Sequence, residues 1–290
     1  MSTAALITWN VHGHPFPRES VGESIERVER CISLATAETK ARGLGRVVAV
    51  FQEVPANFDQ IVTSASSGEW RVLGQVEERV AIIGSASVDL KTVPIRLGAP
   101  MVGIENRGLC AELSHLLHED VTVVGVHWLD RVNYNATVRL NKWSHFWKVV
   151  RGQWRFPSDP HFIVAGEFND NPFDDSLVSR DHLWAIRDGA DLMTRSRLTD
   201  HRPPLYNPMW RLLPEQKSPP HGTFEYLDND ESGVRWSHID QVLTSPSLYD
   251  LIQEVVILHA LGGTLIATDR GVPKSLFASD HLSVLATFEE

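Results

Sequence analysis

A series of short polar groups stands at the ends of apolar runs: Trp9-Asn10-Val11-His12-Gly13, Phe51-Gln52-Glu53-Val54, Val126-His127-Trp128, Gly166-Glu167-Phe168-Asn169-Asp170-Asn171-Pro172, Ser237-His238-Ile239-Asp240-Gln241 and Ser279-Asp280-His281. Taken singly, each is ordinary. An Asn or Asp after a strand is a turn former, Glu53 a surface charge and His127 a core histidine. Taken together they carry more, because the strand ends of a packed sheet converge on one rim. Such a rim would collect hard oxygen donors and imidazoles. Asn, Glu and Asp oxygens suit Mg²⁺ or Mn²⁺ rather than a thiolate-seeking metal. Imidazoles can place protons and donate to phosphate oxygens. The combination suits hydrolysis of phosphate esters, where positive charge and hydrogen-bond donors offset charge developing on the phosphoryl oxygens. Neither the P-loop pattern nor the dinucleotide-binding glycine fingerprint occurs.

The elements that must hold these groups are legible as apolar bursts bounded by Gly, Pro, Asp or Asn. They fall at Ala4–Val11, Arg46–Phe51, Arg79–Gly84, Leu109–Leu113, Val121–Val126, His161–Ala165, Ile239–Leu243, Val255–Leu258 and Leu282–Phe288. Runs of this kind predict buried strands. Ser20–Ala41 and Ala136–Gln153 carry apolar residues at steps of three and four and predict helices, with a shorter one near Ala56–Ser64. The proline-rich stretch Arg202–Gly222 reads as a long surface loop, of a length that is often functional. No linker splits the chain, so residues 1–290 are expected to form a single domain of packed sheets with helices outside.

The ordered set WNVHG, FQEV, VHW, GEFND, HIDQVL and SDH resembles the endonuclease/exonuclease/phosphatase superfamily, which includes deoxyribonuclease I and the abasic-site endonucleases. The match runs in the family's order from Asn10 to His281. The resemblance implies a four-layer α/β sandwich of two mixed β-sheets packed face to face with outer helices. It implies a metal site of Glu53, Asn10 and Asp280 taking Mg²⁺ or Mn²⁺, with Asn10 also near the phosphate. It implies that His281 contacts the scissile phosphate, that Asp240 orients His281, and that His127 stabilises a phosphate oxygen. Asn169 would hold phosphate beside Glu167, which would orient the attacking water, and Arg139 would be a phosphate contact. Two positions depart from the family's pattern. Glu167 stands where Asp is usual, and the extra methylene adds about 1.5 Å of reach. His12 stands where several relatives are acidic, which places a titratable, substrate-side group near the metal.

The substrate is less legible. Arg139-Leu140-Asn141-Lys142-Trp143-Ser144-His145-Phe146-Trp147-Lys148, continuing to Arg151, Trp154 and Arg155, interleaves basic and aromatic residues. That pattern serves either to track and stack a nucleic-acid strand or to bury aromatics under a solvated basic face. Arg195, Arg197, His201 and Arg202 form a second basic cluster. The expected activity is a nuclease on nucleic acid. A phosphatase or phosphodiesterase on a small or lipid-head-group phosphate is the alternative, and a binding protein with weakened catalysis the third. The net charge of −10 argues against broad affinity for nucleic acid or anionic membrane, though a local groove can differ. The first residues carry no leader pattern, no apolar run is long enough to span a bilayer, and Cys31 and Cys110 lie among apolar residues as buried thiols. A cytoplasmic location without membrane contact is therefore expected.

Overall fold

A computed structural model describes residues 3–92, 94–97, 107–153, 161–198, 203–213, 218–226 and 235–289. The main strands are β1 (Thr3–Asn10), β2 (Arg46–Gln52), β3 (Trp70–Val76), β4 (Val80–Ser85), β5 (Gly108–Ser114), β6 (Val121–His127), β7 (Phe162–Glu167), β8 (Asp240–Thr244), β9 (Ile252–Leu258) and β10 (Ser283–Glu289). The main helices are α1 (Val21–Ala41), α2 (Phe58–Ala65), α3 (Ala136–Gln153) and α4 (Gly189–Leu198). One sheet runs β9-β10-β1-β2-β4-β3. The other is built on β8-β7-β6-β5 and extended by two- and three-residue strands at both edges.

Each sheet contains one parallel pair of main strands made by a helical crossover, and in the second sheet the short strands Ala185–Ile186 and Leu205–Tyr206 form another across α4. In the first, β1 and β2 are parallel and α1 connects them; in the second, β6 and β7 are parallel and α3 connects them. Parallel neighbours require such a crossover, because a tight turn cannot return the chain in the same direction. All neighbours of these pairs along the main strands are antiparallel, so both sheets are mixed.

The layering follows from side-chain alternation. Val121 and Val123 of β6 and Ile163 and Ala165 of β7 face the core shared with the first sheet and with α1. Val124, Val126, Phe162 and Val164 face the other way, against Trp143, Phe146 and Trp147 of α3. Helix, sheet, sheet and helix therefore stack in four layers. Both faces of each central strand are covered, which is why these segments read as continuous apolar runs. The sheets approach closely at Gly125: a Cβ there would sit 2.8 Å from Val50 and 2.9 Å from Val80 of the facing sheet.

Helix α1 starts where its sequence directs. Ser20 caps the Glu23 N–H, and the Glu23 carboxylate returns a bond to the Ser20 N–H. The stretch Arg202–Gly222 differs from the expected surface loop. Leu205–Tyr206 enters the second sheet between Ala185–Ile186 and β8, Pro208–Leu212 is a 3₁₀ turn, and Leu205, Tyr206, Asn207 and Met209 are buried. Pro208 starts the turn, and the prolines flank Leu205–Tyr206 rather than interrupt it, so both of its residues keep an N–H for pairing. Strand β3 was not among the expected elements, since polar Arg71 and Gln75 and Gly74 interrupt its apolar run. Cys31 and Cys110 are buried and no disulfide joins them. Among the described residues, no helix is long and apolar enough to cross a membrane.

Candidate active site

Both parallel pairs of main strands stop at one end of the sandwich. Asn10 closes β1 beside Gln52 of β2, and His127 closes β6 beside Glu167 of β7. The antiparallel neighbours begin where these stop. Asp240 opens β8 directly across from Glu167, and His281 lies just before β10, the partner of β1. Strand direction alone thus gathers residues from positions 10 to 281 onto one rim.

Asn10 spans the gap between the sheets. Its Nδ2 donates to Glu53 Oε1 at 3.0 Å and to Glu167 Oε2 at 2.6 Å, while its Oδ1 accepts from the His12 N–H at 2.8 Å. The chain turns sharply just past three of these strand ends. His12, Glu53 and Asn169 have φ of 45°, 52° and 54°, a region that costs energy for residues with a Cβ. Gly13 completes the first turn: its N–H donates to the Glu53 carbonyl at 2.6 Å, and a Cβ would collide with that oxygen.

His281 is buried, with Nδ1 2.9 Å from Asp240 Oδ2. A carboxylate acceptor assigns the proton to Nδ1 and turns Nε2 away from Asp240. Burial opposes charge on this ring, but the carboxylates of Asp240 and Glu167 outweigh it and hold its pKa well above the usual value. The segment is pinned to β1. Trp9 Nε1 donates to the His281 carbonyl at 3.0 Å, and Ser279 Oγ donates to the Asn10 carbonyl at 2.6 Å. Ser279 also accepts from the His281 N–H at 3.1 Å, and the Phe224 ring lies 4.7 Å from the imidazole.

His127 Nε2 sits 3.7 Å from Glu53 Oε1 and 3.6 Å from Glu167 Oε2. Burial pushes its pKa down to about 4, so it is neutral at pH 7. Burial likewise pushes the Glu167 carboxyl up to about 8; His281 pulls against this, and the Asp240 and Glu53 carboxylates add to it. His12 Nδ1 lies 3.4 Å from Asp280 Oδ1 and 3.6 Å from Glu53 Oε2, and its ring stacks on Phe16 at 4.0 Å. His12 therefore bridges two carboxylates.

Ligand atoms of Glu53, His127 and Glu167 lie within 4.8 Å of one another, as do those of Glu167, Asp240 and His281. Glu53 and Glu167 share the Asn10 amide and the neutral His127 imidazole, with His12 also beside Glu53, and among the described residues neither carboxylate pairs with a Lys or Arg. Two clustered carboxylates without a Lys or Arg partner are a donor set that fits a hard divalent cation.

A cavity of about 880 Å³ opens over Glu53, His127, Glu167 and Asn169. Asn169 Nδ2 donates to the Trp128 carbonyl at 3.1 Å, which fixes its loop against β6. Arg139 reaches this loop from α3. It ion-pairs with Asp170 and donates to the Asn169 carbonyl at 3.3 Å, so its charge is matched within the protein. Trp143, Phe146 and Trp147 of the same helix are buried core residues, which removes them as a stacking platform. Arg151 has no described side chain, and Trp154, Arg155, His201 and Arg202 lie outside the described residues. Arg195 pairs with Asp191 on α4. Arg79 and Arg107 line the cavity although nothing around them in the sequence marks them. Ser279 was visible only as part of its motif.

No family model matches the sequence, and no curated protein matches it. Solved structures match throughout. An endonuclease/exonuclease/phosphatase from Bacteroides vulgatus is 13% identical with a TM-score of 0.60, covering 100% of this chain and 99% of its own. D. rerio TDP2, complexed with a single-strand DNA product, is 14% identical with a TM-score of 0.59, covering 100% of both chains. The Neisseria 3′ phosphatase NExo, bound to a product DNA hairpin, is 17% identical with a TM-score of 0.53, covering 99% of this chain and 100% of its own. The fold is that of the endonuclease/exonuclease/phosphatase proteins.

Proposed function

We propose that this chain is a divalent-cation-dependent hydrolase of phosphodiester bonds, a nuclease acting on nucleic acid. One observation carries the reading: the buried His281–Asp240 pair and the Asn10–Glu53–Glu167 cluster meet at one rim, under a cavity large enough for a nucleotide unit. Two proteins of the same fold, D. rerio TDP2 and Neisseria NExo, were solved with DNA products, which favours nucleic acid over a small phosphoester. The site draws on both sheets, and this supports residues 1–290 working as one domain. Buried thiols in Cys31 and Cys110 support a reducing, cytoplasmic setting.

Glu53, Asn10 and Asp280 would hold Mg²⁺ or Mn²⁺. When bound, the cation supplies positive charge against the phosphoryl oxygens. The chain's own residues do the rest. Glu167 aligns a water and accepts its proton once its carboxyl is ionised. Asn169 positions the phosphate beside it. His281, kept charged and oriented by Asp240, donates from Nε2 to a non-bridging oxygen as negative charge grows there. His127, neutral, donates to a second oxygen. Arg139 acts by holding the Asn169–Asp170 turn, and His12 by sharing its imidazole between Glu53 and Asp280.

The test is cleavage of labelled single- and double-stranded DNA and RNA and of bis-p-nitrophenyl phosphate in Mg²⁺, Mn²⁺ or EDTA. EDTA is expected to abolish turnover, and His281→Ala to lower kcat by roughly 10²–10³-fold. Activity within a few-fold of the parent in that variant would remove His281 from the mechanism. Cleavage of the small diester alone would move the assignment to a small-molecule phosphodiesterase.

A further inference from the structure

The cavity over Glu53 and Glu167 has a second wall. Arg79 and Arg107 line it, and each is tied to a site residue through its backbone. The Arg79 carbonyl accepts from the Glu53 N–H at 2.8 Å, and the Arg107 carbonyl accepts from the His127 N–H at 3.0 Å. The two arginines are therefore held in fixed register to the proposed metal carboxylate and the proposed phosphate-oxygen donor. They come from different sheets, Arg79 from the β3–β4 turn and Arg107 from just before β5.

Neither guanidinium is neutralised by a direct ion pair among the described residues. Among those residues, the one contact of Arg107 is a long 3.5 Å approach to the Trp128 carbonyl. Arg107 is largely buried, and burial together with the like charge of Arg79 lowers its pKa. Two partly buried like charges facing one space are unfavourable alone and become favourable when an anion sits between them. The cavity also carries Glu77, Glu78 and Asp130, so it is not a general basic groove that would hold any polyanion.

We propose that Arg79 and Arg107 bind a second phosphate, the one adjoining the scissile linkage in a nucleic-acid strand. This rests on the nuclease reading and sharpens it: the substrate presents two phosphates to one cavity, one over Glu53 and Glu167 and its neighbour between the arginines. Guanidinium groups suit this role, because their planar donors match phosphate oxygens in pairs. A substrate with one phosphate would forgo the second contact.

The experiment is binding by fluorescence anisotropy, in EDTA, of a labelled single-stranded oligonucleotide across a salt series. The parent is compared with the Arg79→Ala/Arg107→Ala double variant and with Arg107→Lys. Thermal melts report whether each variant folds. The double variant is expected to bind at least ten-fold more weakly, with the slope of log K against log salt smaller by about 0.7 for one lost phosphate contact on a single strand. Arg107→Lys keeps the charge and is expected to retain most of the slope. Replacing a single internal linkage of the oligonucleotide by methylphosphonate, at each position in turn, is expected to weaken the parent most at one or two linkages and to leave the double variant indifferent there. An unchanged affinity and salt slope in the folded double variant would overturn the proposal. Because binding is read without turnover, a parent that binds in this way yet cleaves no diester would reject the nuclease reading and leave the phosphate subsite standing.

Discussion

Glu167 is the position at which the motif resemblance suggests a departure, a Glu in place of an Asp. The added methylene places its carboxylate 2.6 Å from Asn10 Nδ2, across the gap from the second sheet to the first. The longer side chain is therefore built into the site's own bonding. Glu167→Asp shortens the side chain and withdraws the oxygen from Asn10. It is expected to lower kcat by roughly 10²-fold, since a displacement near 1 Å has that scale of effect. Steady-state kinetics on the diester substrate would decide, and a faster Asp variant would mean the bond to Asn10 is dispensable. At this scale the sequence was informative about residue type and less so about role. Asn10, Glu53, Glu167, Asp240 and His281 declare themselves by standing at strand ends in a recurring order. Arg79 and Arg107 do not, because a lone arginine in a turn looks like any solvated charge until the fold brings two of them together. Arg139 looked like a phosphate contact from its place downstream of His127, but its reach depends on the rotation of α3, and Asp170 meets it first.

At the scale of elements, start signals and apolar periods transferred well. Helix α1 begins at Val21 after the Ser20 cap, and α3 spans Ala136–Gln153 as its spacing predicts. Ser20→Ala removes the cap and is expected to destabilise the protein by about 1 kcal/mol in urea unfolding, without changing the denaturant slope. A loss of several kcal/mol would instead show that Ser20 supports more than the helix start. Prolines misled. In Arg202–Gly222 they suggested a surface loop, yet Asn207 Nδ2 donates to Gln241 Oε1 at 2.9 Å and Gln241 Nε2 to the Asp170 carbonyl at 2.6 Å. Those bonds join this segment to β8 and to the Asn169–Asp170 turn. They are long-range side-chain pairings, which no local pattern encodes.

For the molecule as a whole, polar groups taken into the core set a dependence of stability on pH. His238 is buried with its Nε2 lacking a partner among the described residues, and burial lowers its pKa from 6.5 to about 4. The unfolded chain would take up a proton near pH 6.5 that the folded chain refuses until about pH 4. The contribution is thus complete above pH 6.5 and lost as pH falls toward 4, by about 3 kcal/mol at one pH unit per 1.36 kcal/mol. Unfolding measured between pH 7 and pH 4.5 should show this decline, and His238→Gln should flatten it. Equal slopes in the two proteins would place the acid sensitivity elsewhere. The overall architecture was readable because two buried sheets leave continuous apolar runs. The pairing of those sheets was not, since which faces meet is decided by contacts far apart in sequence.

Gly125 then acquires a meaning beyond packing. The proposed site is divided between two sheets, and the bonds across it, Asn10 to Glu167 and His281 to Asp240, close only at a particular separation. That separation is limited by how closely β6 can approach Val50 and Val80, and the missing side chain at position 125 is what permits it. A residue with no functional group, enclosed in the hydrocarbon interior, thereby calibrates the distance between two halves of a reactive centre. Selection on chemistry at the rim would be felt as selection on thickness in the middle.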